Sequence, residues 1–225
     1  MKRFVMYTAR FGKPGRLREH KNSMSDVDRI YYTDIDVKEG CHQMIPISGG
    51  EKTKNDFYNV KRINLNHISL PIKRQRFIKI CIPDEIFNNY EYSVYADIKR
   101  PAHVDFDRWL SYLDDDSDFL VRLHPQRGCA YDEGRWLIKK DRYDTEDIKK
   151  QLNFYKKEGF PAQNELYHTV QLIRRHTKRL KEFSRLWWEQ VERFSYRDQV
   201  SLPYAIWKFG MKISVFPGFR GRRRK

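Results

Sequence analysis

Apolar residues in this chain fall into two kinds of segment, short unbroken runs and longer stretches at helical spacing, and the two kinds alternate. Phe4-Val5-Met6-Tyr7 is a run that ends in Thr8 and a Gly/Pro segment through Gly12, Pro14 and Gly15, the pattern of a buried strand followed by a loop. Val27 to Thr33 is rich in β-branched and aromatic residues and predicts a second strand, with Asp34-Ile35-Asp36 directly behind it. Further strands are predicted at Tyr92 to Asp97, closing on a carboxylate, at Phe119 to Leu123, leading into His124, and at Val170 to Ile173. Helical spacing marks Leu70 to Ile82, stopped by Pro83, and Asp105 to Leu113. It marks Thr145 to Lys157 as well, where Thr145 reads as the N-cap with Glu146 and Asp147 in the first turn. Lys178 to Arg193 carries Leu180, Phe183, Leu186, Trp187 and Val191 on one side, and a last helix starts near Ser195, places Asp198 in its opening turn and runs to Trp207 across Pro203. Gly40 to Asn55 reads as an irregular loop.

Strands alternating with helices, with no internal repeat and no low-complexity linker, predict one α/β domain over residues 1–216, an α/β sandwich around a mainly parallel sheet. In such folds ligands bind outside the carboxyl ends of the strands, where Tyr7-Thr8 and Asp97 would lie. Residues 217–225 form a basic tail. Composition adds a partner class: 45 Lys and Arg against 30 Asp and Glu give +15, a field that attracts nucleic acid, anionic lipid, nucleotide phosphates or an acidic polymer without choosing among them. Three cysteines without a C-x-x-C pair indicate neither a zinc site nor a disulfide framework, and point to a reducing cytosol. The first apolar run is too short for a signal segment and no eighteen apolar residues run together, so the expectation is a cytoplasmic protein, soluble or peripheral to a membrane.

Candidate chemistry sits on the predicted loops and ends. Asp97 is placed to hold Mg²⁺ or Mn²⁺ against a diphosphate, since both prefer oxygen ligands shared with phosphates, or to cap the turn that follows it. Arg74, Arg76 and Lys79 offer a diphosphate guanidinium and ammonium groups, or form a solvated helix face. His124 and His176 each follow an apolar run, where a metal or anion contact competes with a structural hydrogen bond. Asp198, between Arg197 and Gln199, is a candidate general base or a carboxylate favoured by a helix N-terminus; Glu133 and Glu165 are rival bases. Trp187, Trp188 and Tyr131 read as core or wall residues. No P-loop, G-x-G-x-x-G or Ser-His-Asp order is present, which weighs against a kinase, a P-loop NTPase and a nicotinamide enzyme.

One ordered set of motifs spans about residues 3–208: Tyr7-Thr8-Ala9-x-Phe11-Gly12, Tyr32-Thr33-Asp34, Arg76-x-x-Lys79, Tyr92-Ser93-x-Tyr95-x-Asp97, His124-Pro125, Tyr131-x-Glu133, Gln151-x-x-x-Tyr155, Gly159-Phe160-Pro161, Arg174-x-His176, Leu186-Trp187-Trp188-Glu189 and Arg197-Asp198-Gln199-x-Ser201. Together they resemble a glycosyltransferase-like family long labelled a domain of unknown function, with relatives among plant wall- and mucilage-polysaccharide proteins and bacterial polysaccharide-cluster proteins. The resemblance implies a GT-A-like fold and transfer of a hexose or deoxyhexose from a nucleoside diphosphate sugar to a glycan or lipid-linked saccharide, assisted by Mn²⁺ or Mg²⁺. It places Tyr7 and Thr8 beside the nucleotide, Arg76 and Lys79 near the donor, Asp97 at the strand-end aspartate that would hold donor and metal, and Arg197, Asp198 and Gln199 on the acceptor side; Arg10 is a further candidate for the donor, and His124 and His176 are candidates for acceptor or other contacts. The usual Gly after the strand-end aspartate is Ile98 here, and Tyr95 stands where Trp is common. Two other readings compete: a basic nucleic-acid-binding module, for which no recognisable motif is present, and an inactive sugar-binding member of the family. The basic tail suits contact with an anionic membrane.

Overall fold

The computed structural model describes residues 2–13, 27–35, 59–97, 105–141 and 144–217; the loop expected over 40–55 and most of the basic tail lie outside them. In chain order the elements are β1 (Lys2–Ala9), β2 (Asp28–Thr33), β3 (Asn59–Arg62), α1 (Pro71–Cys81), α2 (Asp84–Asn89), β4 (Tyr90–Ala96), α3 (Phe106–Leu110), β5 (Phe119–Leu123), α4 (Ala130–Lys140), α5 (Thr145–Lys157), β6 (Tyr167–Arg175), α6 (Lys178–Arg193), α7 (Asp198–Phe209) and β7 (Ser214–Val215). The fold is α/β and the strands are mainly parallel, as the alternation predicts: β1 pairs with β2 and β4, β2 with β3, and β5 with β7 in parallel, while β4 and β6 run antiparallel. No helix among the described residues is long and apolar enough to cross a membrane.

The chain divides into two compact units, Met1–Ser111 with Val170–His176, and Tyr112–Thr169 with Thr177–Lys225. In the first, strands lie in the order β3-β2-β1-β4-β6. Strand β1 is central, and its Val5, Met6 and Tyr7 are completely buried, which is why it reads as an unbroken apolar run. In the second unit, Ala130, Leu137, Ile148, Tyr155, Phe160, Val200 and Tyr204 form a core in which Tyr155 and Tyr204 stack at 3.9 Å. Trp187 and Trp188 are buried as expected, and the Trp187 indole donates to Ser201 Oγ at 3.0 Å.

Several boundaries move for local reasons. Asp144, not Thr145, caps α5, because its carboxylate accepts the Asp147 N–H at 3.3 Å from one residue earlier. Asp105 caps α3, which ends at Leu110 and not at Leu113. The last helix starts at Asp198 itself and accommodates Pro203, which removes one backbone donor inside it. Helix α4 is not apparent in the sequence, because its buried face carries Glu133 and Gly134 beside Ala130 and Leu137. A Cβ on Gly134 would meet a Leu152 methyl at 2.6 Å, so the small residue sets how closely α4 approaches α5.

Candidate functional site

Strands β1 and β4 of the first unit are parallel with Tyr7 opposite Tyr95, so their carboxyl ends open on the same edge. After β1 the chain turns through Gly12 at φ +77°, where a Cβ would meet the Pro71 ring at 2.7 Å; only glycine lets this loop rest on the start of α1. The Gly12 N–H donates to Asp34 Oδ1 at 2.9 Å, and Arg74 donates to Asp34 Oδ2 at 3.0 Å. Asp34 thereby ties the loop to α1, and Arg74, a candidate phosphate ligand in the sequence, is committed to that bridge. The loop and helix enclose a cavity of about 550 Å³. Its described lining includes three cations, Arg10, Lys13 and Arg76, one carboxylate, Asp97, and an apolar wall of Phe11, Pro71 and Ile72.

Asp97 is held from several sides. Its N–H donates to the Val170 carbonyl at 2.9 Å, and its Oδ1 accepts from the Gln75 amide and the Tyr95 hydroxyl, each at 3.3 Å. The Lys79 ammonium lies 4.0 Å from the same oxygen, with a side chain 1% exposed and its charge 5.3 Å over the Tyr95 ring. Gln75 also bonds Tyr95 and Arg76, so one amide links both ends of the group; nothing in the sequence pattern singles it out. Tyr7 and Thr8, expected beside the donor, are fully buried, and the strand-end residues that reach the cavity are Ala9, Arg10, Phe11 and Gly12. The Tyr7 hydroxyl bonds the buried Arg174, whose Nη1 donates to the Lys79 and Ile80 carbonyls at 2.8 and 3.3 Å and so caps α1. Burial pushes the Tyr7 phenol up to about 12, opposed by the Arg174 charge.

His176 takes the structural role. Its Nδ1 donates to the Tyr90 carbonyl at 2.7 Å, which leaves Nε2 to accept from Ser93 Oγ at 2.8 Å, and the ring stacks on Phe87. Burial pushes it down to about 4, so the imidazole is neutral.

The remaining candidates belong to the second unit. Glu133 is buried in the first turn of α4, where Oε2 accepts from Arg127 Nε and Oε1 from Arg197 Nη2 at 3.4 Å. Arg197 also donates to Gln199 at 3.2 Å, and Arg127 lies 4.2 Å over the ring of Trp136, which is 39% exposed. His124 Nδ1 accepts the Arg127 N–H at 3.0 Å, which shapes the turn before α4; burial, then the Arg127 charge, lowers its pKa. Asp198, 2% exposed, is the first residue of α7. Glu165 is exposed and accepts from the Tyr167 hydroxyl at 3.1 Å. The structure therefore gathers Arg10, Arg76, Lys79 and Asp97 in one unit, and His124, Glu133, Arg197 and Gln199 in the other.

The expected divalent metal requires convergent oxygen ligands. Among the described residues no group of three or more His, Cys, Asp or Glu converges. Among the described lining residues Asp97 is the one carboxylate, and one of its oxygens already faces an ammonium and two hydrogen-bond donors. That arrangement does not fit a protein-held Mg²⁺ or Mn²⁺.

A family model described as the TOD1/MUCI70, glycosyltransferase-like domain matches residues 3–222. A curated relative from Arabidopsis thaliana, "Probable hexosyltransferase MUCI70", is 28% identical in an alignment of 141 residues that covers 57% of this chain and 24% of that protein, so the match spans about a quarter of the relative's length. Among solved structures, the apo bifunctional glycosyltransferase WbbM aligns over 96% of this chain and 38% of its own, at 10% identity and a TM-score of 0.47. Mouse xyloside xylosyltransferase 1, in its apo form, aligns over 96% of this chain and 84% of its own, at 9% identity and a TM-score of 0.49.

Proposed function

The chain belongs to the TOD1/MUCI70 glycosyltransferase-like family, and from that premise we propose that its cavity binds a nucleoside diphosphate sugar. The protein would transfer the hexose or deoxyhexose to a hydroxyl of a glycan or lipid-linked saccharide. The observation that carries this reading is the cavity at the ends of β1 and β4, with Arg10, Lys13 and Arg76 around one carboxylate. A leaving diphosphate accumulates negative charge as the sugar departs, and preformed cations stabilise that charge without reorganising. Guanidinium forks match phosphate oxygens in pairs, and Phe11, Pro71 and Ile72 offer the apolar surface a nucleoside needs. The relative's name supports a hexosyl group.

The acceptor hydroxyl needs a base, and the three candidates differ in their surroundings. Glu133 has both oxygens engaged by guanidinium groups, so its part in this reading is to position Arg127 and Arg197. Asp198, with Arg197 and Gln199 on either side, is the proposed base, and Glu165 is the alternative. No step here passes through a metal.

Calorimetric titration with uridine, guanosine, thymidine and cytidine diphosphates, followed by the matching nucleotide sugars, tests the reading. At least one nucleoside diphosphate is expected to bind in the micromolar to millimolar range typical of such donors, as an order of magnitude. Absence of binding by every nucleotide defeats it. Binding of the sugar nucleotide without turnover on any acceptor supports the inactive sugar-binding reading instead.

A further inference from the structure

Lys79 is the buried cation that the proposed transfer leaves without a task. Its ammonium is 4.0 Å from Asp97 Oδ1, and its side chain is 1% exposed. A buried ammonium is costly unless a counter-charge and hydrogen bonds compensate it, and Asp97 together with the Tyr95 ring face supplies that compensation. A divalent ion on Asp97 would sit about 2.0–2.1 Å from a carboxylate oxygen, bringing two positive charges onto a group whose charge the fold already uses. Lys79, enclosed by the protein, has no room to withdraw into solvent as a surface lysine would.

We propose that this cavity binds its nucleoside diphosphate without a divalent cation, Lys79 holding the Asp97 charge from inside the fold while Arg10, Lys13 and Arg76 neutralise the phosphates. The inference rests on the donor reading of the cavity. It departs from the metal assistance that the resemblance implies, and the departure comes from one pairing: a buried lysine behind a lone strand-end aspartate. Asp97 then contributes order, through its bonds to Gln75 and Tyr95, and its negative charge opposes the ligand.

The test is calorimetry with uridine and guanosine diphosphates on the full chain, in EDTA and then in excess Mn²⁺ or Mg²⁺. The expected result is a dissociation constant in EDTA within about threefold of that with metal, a difference worth less than one tenfold step in affinity. Asp97→Asn keeps an oxygen for Gln75 and Tyr95 and removes the opposing charge, so it is expected to strengthen binding in EDTA by about two- to tenfold. If that variant fails to fold because the ammonium is left alone, the double variant Lys79→Met with Asp97→Asn removes both charges, and it is expected to bind in EDTA as well. Binding that needs Mn²⁺ or Mg²⁺, and is lost in a folded Asp97→Asn variant, overturns the inference and leaves the donor site standing. No nucleotide binding under either condition defeats the donor reading, and this inference with it.

Discussion

Asp198 is the proposed base, and His176 is a buried, hydrogen-bonded imidazole. Asp198→Asn preserves shape and removes the proposed base, so turnover is expected to fall by about two to four orders of magnitude while nucleotide affinity stays within about twofold. Quench-flow or coupled assays beside calorimetry read both quantities; near wild-type turnover moves the base to Glu165. For His176 the readout is stability against pH. Its folded pKa is depressed from 6.5 to about 4, chiefly by burial with the Arg174 charge adding to it. The unfolded chain therefore binds the proton more readily between those values, and stability present above pH 6.5 is lost as pH falls toward 4. The loss amounts to roughly 3 kcal/mol for a shift of this size. Urea midpoints from pH 7 to 4 should drop through that window, and His176→Gln should flatten the drop. An unchanged slope in the variant means that other groups carry the acid sensitivity.

Helices α4 and α7 share an apolar core and are also joined by charge. Glu133 on α4 receives Arg127 from the preceding turn and Arg197 from the N-cap of α7. Breaking a buried ion pair by removing one partner costs about 3–5 kcal/mol, because the guanidinium groups left behind keep their desolvation penalty. Glu133→Gln retains two hydrogen-bonding atoms and loses the charge, so a destabilisation of about 2–4 kcal/mol is expected in denaturant unfolding. A change below about 0.5 kcal/mol means that water or Gln199 replaces the carboxylate. On α1, by contrast, the element is held at its end by Arg174 on the Lys79 and Ile80 carbonyls and at its start by Pro71 against Gly12. Between these two anchors Gln75, Arg76 and Lys79 are kept at fixed positions.

For the whole molecule the question is what attracts a chain of net charge +15. Five of the last six residues are basic, and each Lys or Arg near an anionic membrane contributes about 1 kcal/mol at low ionic strength. A chain ending at Phe216 is therefore expected to lose most of its binding to phosphatidylserine vesicles at low salt while keeping transfer to a small soluble acceptor. Equal vesicle binding by the truncated and full-length proteins removes the membrane role. Because the match to the curated relative covers about a quarter of that protein's length, these expectations concern this chain and not the larger protein it resembles.

By itself the sequence determined most of the elements and the family. Unbroken apolar runs become strands β1, β4 and β5 because strands buried on both faces need apolar residues throughout, and amphipathic spacing gives α6 over its full length because one face alone is covered. Ordered motifs across the chain identified the family because their spacing is a linear property. Helix α4 escaped because Glu133 and Gly134 occupy its inner face, and burial of a charge or a close backbone approach depends on partners remote in sequence. The two compact units are likewise set by tertiary contacts, since neither unit is one continuous segment. Tertiary structure alone decided where each cation lies: Arg74 goes to Asp34 and Lys79 to Asp97, while Arg10, Lys13 and Arg76 line the cavity. In the sequence Arg74, Arg76 and Lys79 are equivalent positive charges on one helix, and only the position of carboxylates 40 and 18 residues away sets Arg74 and Lys79 apart from Arg76.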